Sequence, residues 1–238
     1  MRWAFGVTQQ LNNQTIEQFR YQLPIKHFKQ LTIRMLHILY IIAITAEAMT
    51  AALSAGRRDM DWVGVCIIAW VTALGGGTVR NVLFGHYPMS WVEHPEYLVI
   101  TAVAALLAAF IASIMTKLKK LFLYLDALGL VVFTIIGCQV AQQIHLPYLI
   151  VLFSGMITGC AGGVLRDVLC NEVPFLFRKE IYASAAIVTG AIYIGIEHFH
   201  GSEMLATISA AAVGLALRLL SIRFEWHMPK FVYRDEWH

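Results

Sequence analysis

Seven runs of about 20 mainly apolar residues make up most of this chain, and an α-helix needs a run of that length to cross a bilayer. The chain is 58% hydrophobic and only 14% charged, whereas soluble domains carry about 25% charged residues. The runs are too long, and alternate too little, to be barrel strands. The sequence therefore predicts an all-α integral membrane protein. The predicted spans are 36–55, 62–84, 97–115, 121–142, 147–170, 181–197 and 203–222.

Lysine and arginine are distributed unevenly between these spans. The connections after spans one, three and five and the C-terminal tail are basic, whereas the connections after spans two, four and six contain no lysine or arginine. Short basic connections stay in the cytoplasm. We therefore expect an outer N-terminus and a cytoplasmic C-terminus, although the N-terminal tail is itself basic.

A segment of the second span occurs again in the fifth, 86 residues further along. GGGTVRNVLFGHYP at 75–88 corresponds to AGGVLRDVLCNEVP at 161–174, and upstream of them Thr72 corresponds to Thr158. Chance similarity between hydrophobic helices rarely preserves a glycine pair, an arginine and a proline together. Each copy lies in the middle helix of three, so the chain contains two three-helix repeats.

Three spans is an odd number, so the second repeat enters the membrane from the opposite face. The sequence predicts two inverted repeats related by a pseudo-two-fold axis in the membrane plane, with span seven added. The expected division is a polar N-terminal tail at 1–32, repeats at 33–116 and 117–200, a seventh helix at 201–222 and a cytoplasmic tail at 223–238.

Glycines interrupt the second and fifth spans at matching positions. A glycine inside a helix costs about 1 kcal/mol relative to alanine. Irregular backbone at membrane depth survives only where protein or a watery cavity surrounds it. We expect both helices to be broken here and to line a path, although glycines also permit a tight helix crossing. The glycines are Gly75, Gly76 and Gly77 in span two and Gly162 and Gly163 in span five.

An arginine follows each glycine group inside the predicted membrane segment. Arg80 and Arg166 each cost about 2.5–3.5 kcal/mol at a span centre. Candidate partners are Glu47 in span one, Asp126 in span four and Asp167 beside Arg166. Such a pair is either a structural link or part of a pathway. The duplication of both glycine and arginine favours the pathway.

Small residues recur at four-residue spacing in span three, at Ala104, Ala108 and Ala112, and span seven contains Gly214. Small residues allow close helix approach in lipid. They indicate either a subunit interface or packing within one bundle.

The paired GGG-x-x-R-[DN] motif resembles that of the prokaryotic branch of the trimeric intracellular cation channel family, also catalogued as a glycine-transporter-type domain. The resemblance covers about residues 33–222. It implies a homotrimer in the cell inner membrane with one potassium-conducting pore in each subunit, lined by kinked second and fifth helices. It also implies an outer N-terminus, in agreement with the charge count. Two positions depart from the motif: Asn81 replaces an aspartate, and Ala161 stands where a third glycine would be.

Two functions remain open. In a channel for potassium or another monovalent cation, the hydroxyl groups of Thr72, Thr78 and Thr158 would supply oxygen ligands, and movement of Arg80 or Arg166 would gate the path. The alternative is a secondary transporter of a small amino acid such as glycine, whose carboxylate an arginine would bind. Motifs of intramembrane enzymes are absent from the sequence. We expect no metal, no cofactor and no nucleic-acid partner.

Overall fold

The described parts of the seven predicted spans lie mainly on α-helices in the computed structural model, which describes residues 34–112, 118–178, 181–199, 201–224 and 226. In those ranges all regular secondary structure is helical. The described residues from Leu39 onward form one compact unit, and those before it, the first residues of α1, belong to a second. The helices are α1 Arg34–Gly56, α2 Trp62–Phe84, α3 Ser90–Glu93, α4 Glu96–Ala112, α5 Leu118–Gln143, α6 Tyr148–Leu169, α7 Phe175–Arg178, α8 Ile181–His198 and α9 Glu203–Phe224.

Six of these helices are long and apolar enough to cross a membrane, and α4 is a shorter apolar helix. The sixth predicted span, the shortest in the sequence, falls on α8, which has 18 residues, and the described part of α4 has 17. Residues 113–117, on which the end of the third predicted span falls, lie outside the described ranges. Both predicted tails lie outside them too, apart from Arg223 and Phe224, which end α9, and Trp226.

Local sequence sets the ends of α2. The Asp61 side chain accepts a hydrogen bond from the Gly64 backbone N–H at 2.6 Å, which satisfies one of the free donors of the first turn. Gly85 ends the helix in the left-handed conformation, with φ of 66°. The short helix α3 follows α2, and α7 follows α6. The second copy of the repeat thus reproduces an element that hydrophobicity alone does not predict.

Contacts between the connections support the inverted arrangement. Arg58, after α1, donates a hydrogen bond to the Asn171 carbonyl oxygen at 3.0 Å and lies 3.3 Å from the Glu172 carboxylate, after α6. Phe122 near the start of α5 lies 5.7 Å from Phe175 in α7, measured between ring centroids. The end of α1, the start of α5 and the end of α6 therefore meet at one end of the bundle. We call this end the basic face and the other end the opposite face.

Helices α2 and α6 cross where their glycines meet. A Cβ atom added to Gly76 would collide with the Thr158 carbonyl oxygen, and one added to Gly162 would collide with the Thr72 carbonyl oxygen. Each of these Cβ atoms would also lie within 4 Å of the other glycine's backbone nitrogen, at 3.5 and 3.8 Å. The two contacts are counterparts across the 86-residue repeat. The pseudo-two-fold axis therefore passes through this backbone crossing.

The prediction of broken helices is not confirmed. Both α2 and α6 are helical without interruption through their glycines. The physical reason is visible at the crossing, where the missing Cβ atoms allow two intact helices to approach to backbone contact. The glycines thus permit a tight helix crossing, which is the alternative that the sequence left open.

The small residues of spans three and seven pack within the chain. Ala105 and Ala108 of α4 are buried in the same apolar cluster as α2 residues Ile68 and Ala69. In α9, Gly214 faces α8, because a Cβ there would collide with the Thr189 hydroxyl oxygen. These positions therefore support packing inside one bundle.

Alanine at Gly76 tests the crossing. The new Cβ forces the two backbones apart, so Gly76→Ala should lower the free energy of unfolding by about 1–3 kcal/mol. The measurement is the thermal unfolding midpoint of the detergent-purified protein.

Gly195→Ala in α8 is the matched control, because a Cβ there would have nothing within 4 Å. The control should unfold at the wild-type temperature or above, since alanine is the better helix former. Equal unfolding temperatures for the two variants would contradict the crossing as described.

Candidate functional site

Arg166 is fully buried near the end of α6, at the basic face. Its Nε donates to Asp167 Oδ1 at 2.9 Å. Its Nη1 donates to Asp126 Oδ1 at 3.1 Å and to the Thr50 hydroxyl oxygen at 2.9 Å. The Glu47 carboxylate lies 3.7 Å from the same Nη1. All three carboxylates proposed from the sequence therefore meet at one guanidinium.

These residues come from three helices of both repeats. Glu47 is on α1 and Asp126 on α5, whereas Arg166 is on α6. Glycines provide the space: a Cβ on Gly129 would collide with the Glu47 carboxyl group. A Cβ on Gly163 would lie 3.0 Å from the Tyr182 hydroxyl and 3.9 Å from Asp126 Oδ1. A buried polar contact therefore links the two repeats.

Helix α9 joins the same site through Arg218, which the sequence analysis did not identify. Arg218 Nη2 lies 3.4 Å from Asp126 Oδ2, and its guanidinium carbon lies 4.7 Å from the centroid of the Tyr182 ring. Tyr182 in turn donates a hydrogen bond to Asp126 Oδ1 at 3.3 Å. The sequence did contain a signal for Arg218, because an arginine inside the seventh predicted span is costly in a membrane. The same feature identified Arg80.

We call this group the charged cluster. It contains three carboxyl groups and two guanidinium groups, so its positive charges are compensated. A single buried charge costs several kcal/mol, and only close pairing with further hydrogen bonds offsets that cost. Its members are Glu47, Asp126, Asp167, Arg166 and Arg218.

Arg80 lies near the other end of α2, at the opposite face, and its surroundings differ. Its Nε and Nη2 both donate to Asn81 Oδ1, at 2.9 and 2.7 Å. Among the described residues no carboxylate oxygen lies within 4 Å of its guanidinium nitrogens. The structure therefore gives Arg166 charged partners and gives Arg80 a neutral one.

The three predicted threonines donate their hydroxyl protons to their own helices. Thr72 donates to the Ile68 carbonyl and Thr158 to the Ser154 carbonyl, both at 2.7 Å. Thr78 donates to the Leu74 carbonyl at 2.8 Å. Each oxygen keeps a lone pair, but Thr72 and Thr158 are buried at the helix crossing.

Gly75 and Thr78 face a different environment from their neighbours. They line an apolar cavity of about 360 Å³ with Trp70, Trp91 and Leu98. The Trp91 indole N–H donates to the Thr78 hydroxyl at 3.1 Å. The predicted path-lining residues of α2 therefore divide between the crossing, this cavity and the Arg80 site.

The described cysteines and acidic residues do not form a metal centre. Within the described ranges no three His, Cys, Asp or Glu side chains are placed to hold a metal ion. The cysteines at 66, 138, 160 and 170 are free thiols, and the last three are buried.

The shared carboxylate predicts a strong coupling between Asp126 and Arg218. Asp126→Asn should lower the free energy of unfolding by about 3–5 kcal/mol, because two buried guanidiniums lose their common partner. Adding Arg218→Gln removes one of those stranded charges. The double variant should therefore lose less stability than the sum of the single variants, by about 0.5–3 kcal/mol. A double-mutant cycle of chemical unfolding measures this.

Arg223→Gln is the control, because Arg223 is exposed five residues further along α9. It should change stability by less than about 0.5 kcal/mol. Strictly additive effects of the Asp126 and Arg218 substitutions would contradict the shared pairing.

Comparison with known proteins places this arrangement in a family. The family model described as glycine transporter matches twice, at residues 37–113 and 123–198, which begin 86 residues apart. The UPF0126 inner membrane protein YadS of Escherichia coli (strain K12) is 37% identical over 200 residues, covering 83% of this chain and 96% of its own. The UPF0126 membrane protein YvgT of Bacillus subtilis (strain 168) is 33% identical, covering 83% of this chain and 96% of its own.

The three-dimensional similarity to a solved structure supports the same family. The trimeric intracellular cation channel orthologue from Rhodobacter sphaeroides superimposes with a TM-score of 0.78 and 31% sequence identity, over 81% of this chain and 99% of that one. The family model, the relatives and the fold agree with the paired glycine–arginine motif. This multi-pass membrane protein belongs to the prokaryotic branch of the trimeric intracellular cation channel family, whose family model is described as glycine transporter.

Proposed function

We propose that this protein is a channel for monovalent cations, with potassium as the physiological ion. The observation that carries the proposal is the compensated charged cluster, buried beside α6 in the fold of solved cation channels. A bare arginine would repel a cation. Three carboxyl groups around Arg166 remove that barrier and leave acidic oxygens near the path.

The proposed path runs between α2 and α6 within each subunit of a homotrimer. At Gly76 and Gly162 the two backbones are in contact, so conduction requires the helices to separate there. The hydroxyl oxygens of Thr72 and Thr158 and nearby backbone carbonyls would then face the ion. The trimer is proposed because the similar solved protein is described as a trimeric channel.

Arg166 is the proposed gating residue. Its guanidinium joins α1, α5 and α6 through Glu47, Asp126 and Asp167, so helix separation must rearrange these pairs. Such a network has discrete arrangements, which suits a gate.

The proposed location is the cell inner membrane, with the basic face in the cytoplasm. The described basic residues Arg57, Arg58, Lys120 and Arg223 support this orientation, because positively charged connections stay inside. The N-terminus is then outside and the C-terminus inside. The name of the Escherichia coli relative supports the inner membrane.

A secondary transporter of a small amino acid is the competing function. The family model's description favours it, and so does Arg80, whose guanidinium has no carboxylate oxygen within 4 Å among the described residues. A transporter would show saturable uptake of its substrate and no unitary currents.

Planar bilayer recording distinguishes the two functions. With purified protein and a gradient of potassium chloride, a channel gives discrete unitary currents that reverse near the potassium equilibrium potential. A silent bilayer, together with saturable uptake of labelled glycine into liposomes, would overturn the channel proposal in favour of the transporter.

Removing one carboxylate from the charged cluster should weaken cation conduction. Asp167→Asn reproduces in the second repeat the Arg–Asn pair that the first repeat already contains, and the loss of negative charge should lower the unitary potassium conductance. The effect should be larger at low ionic strength, where charges are less screened. Single-channel recording at two salt concentrations measures it.

Asp59→Asn is the matched control. Asp59 is exposed in the connection after α1, and its φ of 52° lies in a region that asparagine tolerates. The control should conduct as wild type does. Equal loss in both variants would indicate a general surface-charge effect, and an unchanged Asp167→Asn variant would exclude the cluster from the path. Unfolding midpoints of both variants identify any loss caused by misfolding, because Asp167 also accepts the Phe175 backbone N–H.

A further inference from the structure

The two arginines occupy equivalent positions in the repeats, but their surroundings carry different charge. Applying the 86-residue offset to the three carboxylates around Arg166 gives a neutral residue each time. Asp126 corresponds to Tyr40, Asp167 to Asn81 and Glu47 to Phe133. The first repeat thus contains the arginine but none of the corresponding carboxylates.

The contacts of Arg80 agree with this comparison. Tyr40, a phenol, interacts electrostatically with Arg80. The Tyr40 ring packs against Tyr97 at 5.0 Å and Phe133 at 6.1 Å between centroids. Arg80 itself is only 3% exposed, and its Nη1 has no hydrogen-bond partner among the described residues. A buried positive charge is thus left with aromatic and amide neighbours.

There is also space beside one end of this guanidinium, at Nη2. A Cβ on Gly77 would have a single atom within 4 Å, Arg80 Nη2 at 3.8 Å. At the equivalent Gly163 the same position is bordered by Tyr182 and Asp126 as well. Gly77 is partly exposed, so this space is accessible from outside the protein core.

Arginine cannot escape the cost of burial by losing its proton. An uncompensated buried charge is strongly unfavourable, and a counter-ion relieves it. We propose that Arg80 binds a chloride ion, which supplies the counter-charge that the first repeat lacks.

The geometry favours a compact halide over a carboxylate. A carboxylate binds an arginine best through two parallel hydrogen bonds. Asn81 Oδ1 already occupies the edge formed by Nε and Nη2. Nη1 is buried without a partner among the described residues, so the accessible donor is the second N–H of Nη2, beside the space at Gly77. A small monovalent anion needs no second, parallel acceptor oxygen.

The anion would also act on conduction, and this part rests on the proposed channel function. A bound chloride cancels the positive charge of Arg80 and lowers the barrier for a cation passing the opposite face. Chloride would then be a structural ion of a cation channel.

The binding test is thermal unfolding of the purified full-length protein in potassium chloride, potassium bromide or potassium gluconate at equal ionic strength. Wild-type protein should show a saturable rise in unfolding midpoint with chloride and bromide relative to gluconate. Asn81→Asp places an internal carboxylate beside Arg80, as Asp167 does beside Arg166, so the halide-dependent rise should disappear. Arg80→Gln should abolish it too.

Arg223→Gln, which removes an exposed arginine, should keep the wild-type halide response. The proposal is overturned if wild-type protein shows no halide-dependent rise, or if Asn81→Asp shows the same rise as wild type. A rise with glycine but not with chloride, lost in Asn81→Asp, would also overturn it and support the transporter. Because Asn81→Asp retains the arginine, it remains informative if Arg80→Gln fails to fold.

The conduction test uses the same variants. Replacing chloride by gluconate at constant potassium should lower the unitary current of wild-type protein severalfold and leave that of Asn81→Asp unchanged. Equal reductions in both would overturn the effect on conduction. Absence of currents in every protein would refute the channel function alone, because the unfolding measurements test the ion site separately.

Discussion

The backbone contact between α2 and α6 is the constraint on which the rest of the structure depends. Gly76 meets the Thr158 carbonyl and Gly162 meets the Thr72 carbonyl, so the two repeats touch through equivalent atoms. Without a hydrophobic force between helices in lipid, such close packing is what holds them together. The crossing also fixes where the arginines lie. Each arginine follows its crossing glycine by one helical turn. Because the repeats are inverted, Arg166 lies toward the basic face and Arg80 toward the opposite face.

The charged cluster adds what the crossing does not supply, a specific link among four helices. Glu47, Asp126, Arg166 and Arg218 come from α1, α5, α6 and α9. Apolar side chains in a bilayer do not discriminate strongly between neighbouring helices. A buried charge that loses its partner, in contrast, costs several kcal/mol. Helix α9, the seventh predicted span, lies outside the repeats and is thereby attached to the bundle at a defined position.

The sequence predicted the features that depend on periodicity and on residues costly in a membrane. The long apolar runs located the helices, and the duplicated motif located the crossing and both arginines. It did not predict intact helices, because the effect of a glycine depends on the backbone that approaches it, which the local sequence does not reveal. It also missed Arg218, whose role depends on α9 packing against α5 and α8. The partners of Arg166 were predictable because few buried carboxylates were available, but the absence of a charged partner for Arg80 among the described residues required three-dimensional positions.

The crossing of α2 and α6 has a mechanical consequence. The contact joins the helices at one point, and each arginine lies four residues beyond it, about 6 Å along the helix axis at 1.5 Å per residue. Two rigid helices that touch at one point can rotate relative to each other about that point. A tilt that moves Arg166 relative to its carboxylates at the basic face must also move Arg80 at the opposite face. While the backbones remain in contact, the two ends of the protein are therefore mechanically coupled through this crossing.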